Sequence, residues 1–103
     1  MIVARWHIQA RFGHKQHVID SLKQWYDDVG DQIGWTKENS RILTGSIGAK
    51  ESEICSEIET SDIATLNEAW EKLATIEPHK DWSKELEPYI VSGTAYWEVF
   101  HVV

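Results

Sequence analysis

From its second residue the chain alternates. Ile2, Ala4, Trp6, Ile8 and Ala10 take one parity, and Val3, Arg5, His7, Gln9 and Arg11 take the other. A period of two predicts a strand with one apolar face and one mostly polar face, ended at Gly13. The period then changes. Val18, Leu22, Trp25, Val29 and Ile33 recur at spacings of three and four, the stripe of an amphipathic helix. Asp20, Asp27, Asp28 and Asp31 lie mostly off that stripe. Gly30 weakens a helix by about 1 kcal/mol relative to alanine, and Gly34 suits a C-terminal cap. The helix therefore ends at one of these two glycines.

After the polar connection "WTKENS", the stretches "RILTGSI" and "SEICSEIE" flank "GAKE" and predict a hairpin with glycine in or near its turn. In its second strand Ile54, Ser56 and Ile58 alternate with Glu53, Cys55, Glu57 and Glu59, so the glutamates belong to a solvent-facing or polar-cavity side. Ser61 is placed to cap the next helix, with Asp62 suited to its positive end. Ile63, Leu66, Trp70 and Leu73 form that helix's buried stripe. "HKDWSKELEPYI" predicts a short helix with Trp82 and Leu86 on one side, bounded by Pro78 and Pro88. A last strand, "TAYWEVFHV", follows Gly93. It presents Tyr96, Glu98 and Phe100 on one face and Trp97, Val99 and His101 on the other.

The predicted order is β-α-β-β-α-(short α)-β, which makes an α+β ferredoxin-like βαββαβ antiparallel sheet with both helices on one face. The length fits one domain over residues 1–103. That arrangement leaves the other face of the sheet uncovered, although it carries aromatic and branched side chains. Packing two such sheets face to face would bury both.

Composition changes the picture in three ways. A net charge of -7 disfavours nucleic acid, which needs a clustered basic surface. A single cysteine, Cys55, excludes an intrachain disulfide and a cysteine zinc cage. It reads as a small buried hydrophobe in a chain expected in a reducing cytoplasm. Six tryptophans in 103 residues point to a core, an interface or a cavity rich in large aromatics. No apolar run approaches the roughly 20 residues that span a bilayer, and neither a membrane nor a nucleic-acid partner is expected.

The strand leading into "FGHKQHVIDSL", the segment "SRILTGSIGAKESEICSEIETSDIATLNEAW" and the ending "SGTAYWEVFHVV" together resemble the dimeric α/β-barrel superfamily, and within it the NIPSNAP-like and antibiotic-biosynthesis-monooxygenase-like proteins. The resemblance covers nearly the whole chain. It implies a homodimer in which two sheets close into a barrel. It also implies a range of activities, among them cofactor-independent oxygenases, isomerases, lyases and haem-degrading enzymes, so the fold does not choose a function. This chain lacks the asparagine, tryptophan and histidine trio of the haem-degrading members, and no cofactor is expected.

Candidate chemistry centres on His7, which shares a strand face with Arg5, Gln9 and Arg11. Facing a barrel, its imidazole can move a proton near neutral pH or serve as a hydrogen-bonded structural residue. Arg5, Gln9 or Tyr96 would orient a carbonyl or carboxylate. Either Glu98 or His101 would join His7, but not both. The short helix near the C-terminus offers His79 and Trp82 as residues bordering an entrance, or Trp82 simply packs. His14 and His17 are three apart at a helix start, without a third ligand nearby, and no metal is expected there. "GSIG" is too short for a phosphate loop. Two functions follow: a cofactor-free enzyme acting on a small, largely apolar molecule, or a non-catalytic binding or structural dimer module. A row of polar groups flanked by aromatics fits a pocket in either case.

Overall fold

The computed structural model describes residues 1–103. Strand β1 (Ile2–Gln9) leads into helix α1 (Lys15–Asp28) and a 3-10 turn, Gly30–Ile33. A hairpin of β2 (Ser40–Thr44) and β3 (Glu53–Thr60) follows. Helices α2 (Ile63–Leu73) and α3 (Glu77–Leu86), a second 3-10 turn (Glu87–Tyr89) and β4 (Tyr96–His101) complete the chain. The strands form one antiparallel sheet in the order β2-β3-β1-β4. The expected α+β ferredoxin-like order is the observed one. No helix is long and apolar enough to cross a membrane.

All the helices cover one face of this sheet. Ile2, Ala4 and Ile58 pack with Trp25, Val29, Leu66 and Ala69. Ile8, Ala10 and Ile54 pack with Val18, Leu22 and Leu86. These are the odd-even partners predicted by the strand alternation and the helical stripes. Each large side chain fully buried here contributes about 1.5–3 kcal/mol of transfer free energy.

Three local details differ from the expectation. First, α1 stops at Asp28, before either glycine, and both glycines then serve the 3-10 turn. A Cβ on Gly30 would meet the Tyr26 ring at 2.8 Å and the Trp35 carbonyl oxygen at 3.0 Å. Gly34 takes a left-handed φ of 80° and closes the turn. Second, Asp62 and not Ser61 caps α2, accepting from the Thr65 backbone N–H at 2.8 Å. The Ser61 hydroxyl instead pairs with that of Thr65. Third, Ile63 is 45% exposed. As the first residue of α2 it lies beyond the sheet, and Ala69 joins Leu66 in the buried stripe.

The hairpin also has one position with no room for a side chain. A Cβ on Gly45 would lie 1.7 Å from the Lys50 carbonyl oxygen, while the Gly45 N–H donates to Glu53 O at 2.9 Å. Gly45→Ala is expected to prise the two hairpin arms apart and to cost about 1–3 kcal/mol. A urea unfolding curve with a lower midpoint and an unchanged slope checks this.

Candidate functional site

Strand β1 lies between β3 and β4, so its polar parity meets polar residues on both sides. Arg5 is opposite Glu57 on β3 and Glu98 on β4. His7 is opposite Cys55 and Tyr96. The face without helices therefore gathers Arg5, His7, Gln9, Glu53, Cys55, Glu57, Tyr96, Glu98 and Phe100. The uncertain parity of the last strand is settled: Glu98, not His101, joins His7.

These side chains pair with one another. Glu57, with a side chain only 4% exposed, accepts from Arg5 Nε at 2.7 Å and also from Arg41 Nε. The Arg5 guanidinium stands 5.3 Å over the Phe100 ring, a cation–π contact. His7 is 9% exposed. Its Nδ1 pairs with Glu53 Oε1 at 2.9 Å. The Glu98 carboxylate lies against Nε2 without the alignment of a hydrogen bond. The Tyr96 ring stacks on the imidazole at 4.5 Å and 9°. Gln9 is half-buried, and its backbone N–H donates to Thr94 Oγ1 at 3.2 Å.

This environment sets the ionisation of its members. Burial pushes the Glu57 carboxyl up, but hydrogen bonds from Arg5 and Arg41 and their charges outweigh it and hold it below the ordinary range. The bond to Glu57 in turn raises Arg5. Burial pushes the Cys55 thiol up to about 11, with the neighbouring glutamates adding to the shift and Arg5 opposing it. A thiol held neutral this way is a poor nucleophile.

The opposite face of the sheet holds a cavity of about 200 Å³ between β-strands and helices, and all six tryptophans of the chain line it. Their rings form one continuous series: Trp6 to Trp82 at 6.2 Å, Trp82 to Trp25 at 5.9 Å, and Trp25 to Trp35 at 5.9 Å. Trp35 then meets Trp97 at 6.1 Å, and Trp97 meets Trp70 at 5.2 Å. Most of these pairs are tilted or edge-on, the arrangement that aromatic quadrupoles favour. Trp6 and Trp97 come from facing positions of β1 and β4. Trp25, Trp70 and Trp82 come from α1, α2 and α3, and Trp35 from the loop before β2.

The polar groups in this wall are few. Ser56, whose hydroxyl bonds the Tyr26 phenol, sits at its floor. Trp82 donates its indole N–H to Ser21 O at 3.2 Å. Trp25 donates its indole N–H to His79 Nδ1 at 3.0 Å. An imidazole that accepts at Nδ1 is the neutral tautomer with its proton on Nε2. Burial lowers the His79 pKa, which favours the same neutral form. The Trp70 indole N–H is buried with no acceptor in the chain.

The expected site residues therefore divide between two places. Arg5, His7, Gln9, Tyr96 and Glu98 share the open face. His79 and Trp82 do not border it: α3 lies with the other helices, and both rings face the tryptophan cavity. Of the two readings that the segment allowed, an entrance bordered by His79 and Trp82 or a packed Trp82, the contacts of Trp82 with Trp25 and Trp6 match the packed one. His14 and His17 are exposed at the strand-to-helix corner and lean on the Tyr89 ring, with centroids at 5.3 and 4.0 Å. Sequence reasoning missed Trp6, Trp25, Trp35, Trp70 and Trp97 as one lining. The signal existed for three of them, since Trp6 shares the apolar parity of β1 and Trp25 and Trp70 sit on helical stripes.

Two measurements test these assignments. Cys55 should react with iodoacetamide at pH 8 about 100-fold more slowly in the native chain than in urea, from thiolate fraction alone; mass spectrometry follows the adduct. His79 protonates less readily folded than unfolded. Below about pH 6.5 the unfolded chain therefore binds more protons, and stability falls as pH drops until the folded ring also titrates. His79→Gln should flatten that part of the stability–pH curve.

No family model matches the chain, and no curated protein matches it. Its fold is shared with solved structures. A NIPSNAP family protein from Agrobacterium tumefaciens superposes with a TM-score of 0.80 at 16% identity, covering 99% of this chain and 92% of that one. An uncharacterized NIPSNAP domain protein from Burkholderia xenovorans gives 0.70 at 15% identity, over 100% and 95% of the two chains. A putative antibiotic biosynthesis monooxygenase from Nitrosomonas europaea gives 0.68 at 7% identity, over 100% and 99%. The chain has the ferredoxin-like fold common to these NIPSNAP and antibiotic-biosynthesis-monooxygenase structures.

Proposed function

We propose that the protein is a homodimeric binding protein for a small, flat, largely apolar molecule carrying a carbonyl or carboxylate. The observation that carries this reading is the cavity of about 200 Å³ lined by every tryptophan of the chain. Apolar cavities of about 150 Å³ hold a benzene ring, so a one- or two-ring molecule is the matching size. Indole faces on several sides favour a flat ligand over a globular one. The Nε2–H of neutral His79, a residue of the cavity wall, is the donor for its oxygen. A mostly apolar wall with a few convergent polar groups is the usual composition of such sites.

The open sheet face takes the second role. Phe100, Tyr96 and Leu43 are exposed there, and a second copy laid on it would cover them along with the paired charges. In this reading His7 supports the interface: one nitrogen is engaged by Glu53 and the other faces Glu98. The alternative, His7 as an acid or base in a barrel between two sheets, draws support from its burial and from the carboxylate that orients it.

Titration with 2-naphthoate should quench tryptophan fluorescence saturably. His79→Phe, which removes the Nε2–H but keeps a ring, should weaken binding about tenfold. An unsaturable or unchanged signal in both proteins would sink the cavity reading. Phe100→Glu should dissociate the dimer in sedimentation, whereas Trp97→Phe, on the opposite face, should leave it intact. His7→Ala separates the two roles of His7. Loss of the dimer with retained naphthoate binding marks an interface residue, and an intact dimer that has lost turnover of carbonyl compounds marks a catalytic one.

A further inference from the structure

A row of side chains runs from the surface to the floor of the tryptophan cavity, and its outer end fixes the direction of every hydrogen bond in it. Asn39, just before β2, donates from its side-chain amide to the Gly34 carbonyl oxygen at 2.8 Å. Its Oδ1 accepts the Thr36 backbone N–H at 2.9 Å. These two bonds orient the amide, because its NH₂ only donates and its oxygen only accepts. The Ser40 hydroxyl lies 2.9 Å from the same Oδ1 and must donate to it. A hydroxyl has one proton, so Ser40 Oγ offers only lone pairs on its other side.

The next group inward is the half-buried Tyr26 phenol, which meets the hydroxyls of both Ser56 and Ser40. Burial pushes the phenol above its ordinary value, with the two hydroxyls opposing the rise, so it keeps its proton near neutral pH. That one proton serves one neighbour. Given to Ser56, it would leave the Tyr26 and Ser40 oxygens facing each other with lone pairs alone. Given to Ser40, it leaves Tyr26 Oη free to accept the Ser56 proton, and both contacts become hydrogen bonds. Buried polar groups take the arrangement that satisfies them. The row therefore runs from Ser56 to Tyr26 to Ser40 to Asn39, each hydroxyl donating to the next.

Ser56 is the inner end of this row. It is 5% exposed, stands opposite Trp6 in the β1–β3 pairing and lines the cavity. With its proton given to Tyr26, Ser56 Oγ presents lone pairs to the cavity and no donor. The opposite wall has the opposite sense. His79 belongs to α3, in the helical layer, and accepts the Trp25 indole proton at Nδ1, so its Nε2 carries a proton to donate. The sheet side of the cavity accepts and the helix side donates. A ring bearing only a carboxylate or carbonyl satisfies the second and leaves the first unmet.

We propose that the cavity selects a hydroxylated aromatic carbonyl compound, a flat ring whose hydroxyl donates to Ser56 Oγ and whose carboxylate or ketone oxygen accepts from His79. This rests on the cavity reading given above and adds to it the residue that reads the hydroxyl, Ser56, and the residue that positions the Ser56 proton, Tyr26. An ether or second carbonyl oxygen at the floor would set lone pairs against lone pairs, leaving Ser56 desolvated and unpaired.

Calorimetric titration of the full chain with 2-naphthoate, 6-hydroxy-2-naphthoate and 6-methoxy-2-naphthoate tests the proposal. The hydroxyl compound should bind about tenfold more tightly than 2-naphthoate, and the methoxy compound no more tightly than 2-naphthoate. Ser56→Ala should cancel the hydroxyl advantage while 2-naphthoate binding is kept. Tyr26→Phe frees the Ser56 proton to point into the cavity, so the methoxy compound should gain and the preference for hydroxyl over methoxy should shrink. A merely structural Tyr26 would weaken all three probes alike. Three results would overturn the assignment while leaving the cavity reading in place: no hydroxyl advantage in the wild-type chain, an equal gain from methoxy, or an advantage that survives in Ser56→Ala. Binding of none of the three by the wild-type chain would sink the cavity reading and this proposal with it.

Discussion

The position of β1 between β3 and β4 is the constraint on which the rest of the structure depends. A strand paired on both edges cannot slip by one residue without turning every side chain to the wrong face. Ile2, Ala4, Ile8 and Ala10 hold it in place because each is buried under the helices. That anchoring commits Arg5 and His7 to the other face. It also commits Trp6, which shares the apolar parity, to the floor of the tryptophan cavity. The two chemically distinct regions of the molecule are thus two sides of one strand, set by one register.

The regions solve opposite problems. The open face holds its charges by pairing: Glu57 accepts from two arginines, and His7 Nδ1 pairs with Glu53 while Glu98 lies beside its other nitrogen. Removing one partner from such a cluster exposes the other to an environment that no longer solvates it. The helical face is satisfied by shape. Six indole rings stand around one space, four of their five neighbouring pairs tilted and Trp70–Trp97 edge-on, and they leave a gap. The Trp25–His79 hydrogen bond joins α1 to α3 across that gap, and burial lowers the pKa of the imidazole.

Much of this was legible in the order of residues. Period two in β1 and β3 and periods of three and four in α1 and α2 follow from which side chains must leave water, and they reproduce the observed element order. The alternation in "EICSEIE" already put Glu53, Cys55 and Glu57 on a common face away from Ile54 and Ile58. His7, Arg5 and Gln9 were legible as one row for the same reason. Local competition was harder to see: Ser61 and Asp62 both suit an N-cap, and the choice turned on which carboxylate or hydroxyl reached the Thr65 N–H.

What the sequence by itself determined is therefore the set of faces: which side chains each strand and helix turns toward the core, and which it turns away. Which faces meet was decided by tertiary structure alone. The last strand has usable apolar residues on both parities, and only its pairing with β1, Trp6 opposite Trp97 and Arg5 opposite Glu98, assigns them. Trp35 sits in a loop with no period, and its place in the cavity comes from a 3-10 turn that Gly30 permits by lacking a side chain. Helix α3 reads equally well as a cover for either side, and it joined the helical layer because Trp82 and Leu86 find apolar partners there. Periodicity records the environment of a residue one segment at a time, whereas a cavity is made by contacts between segments far apart in the chain.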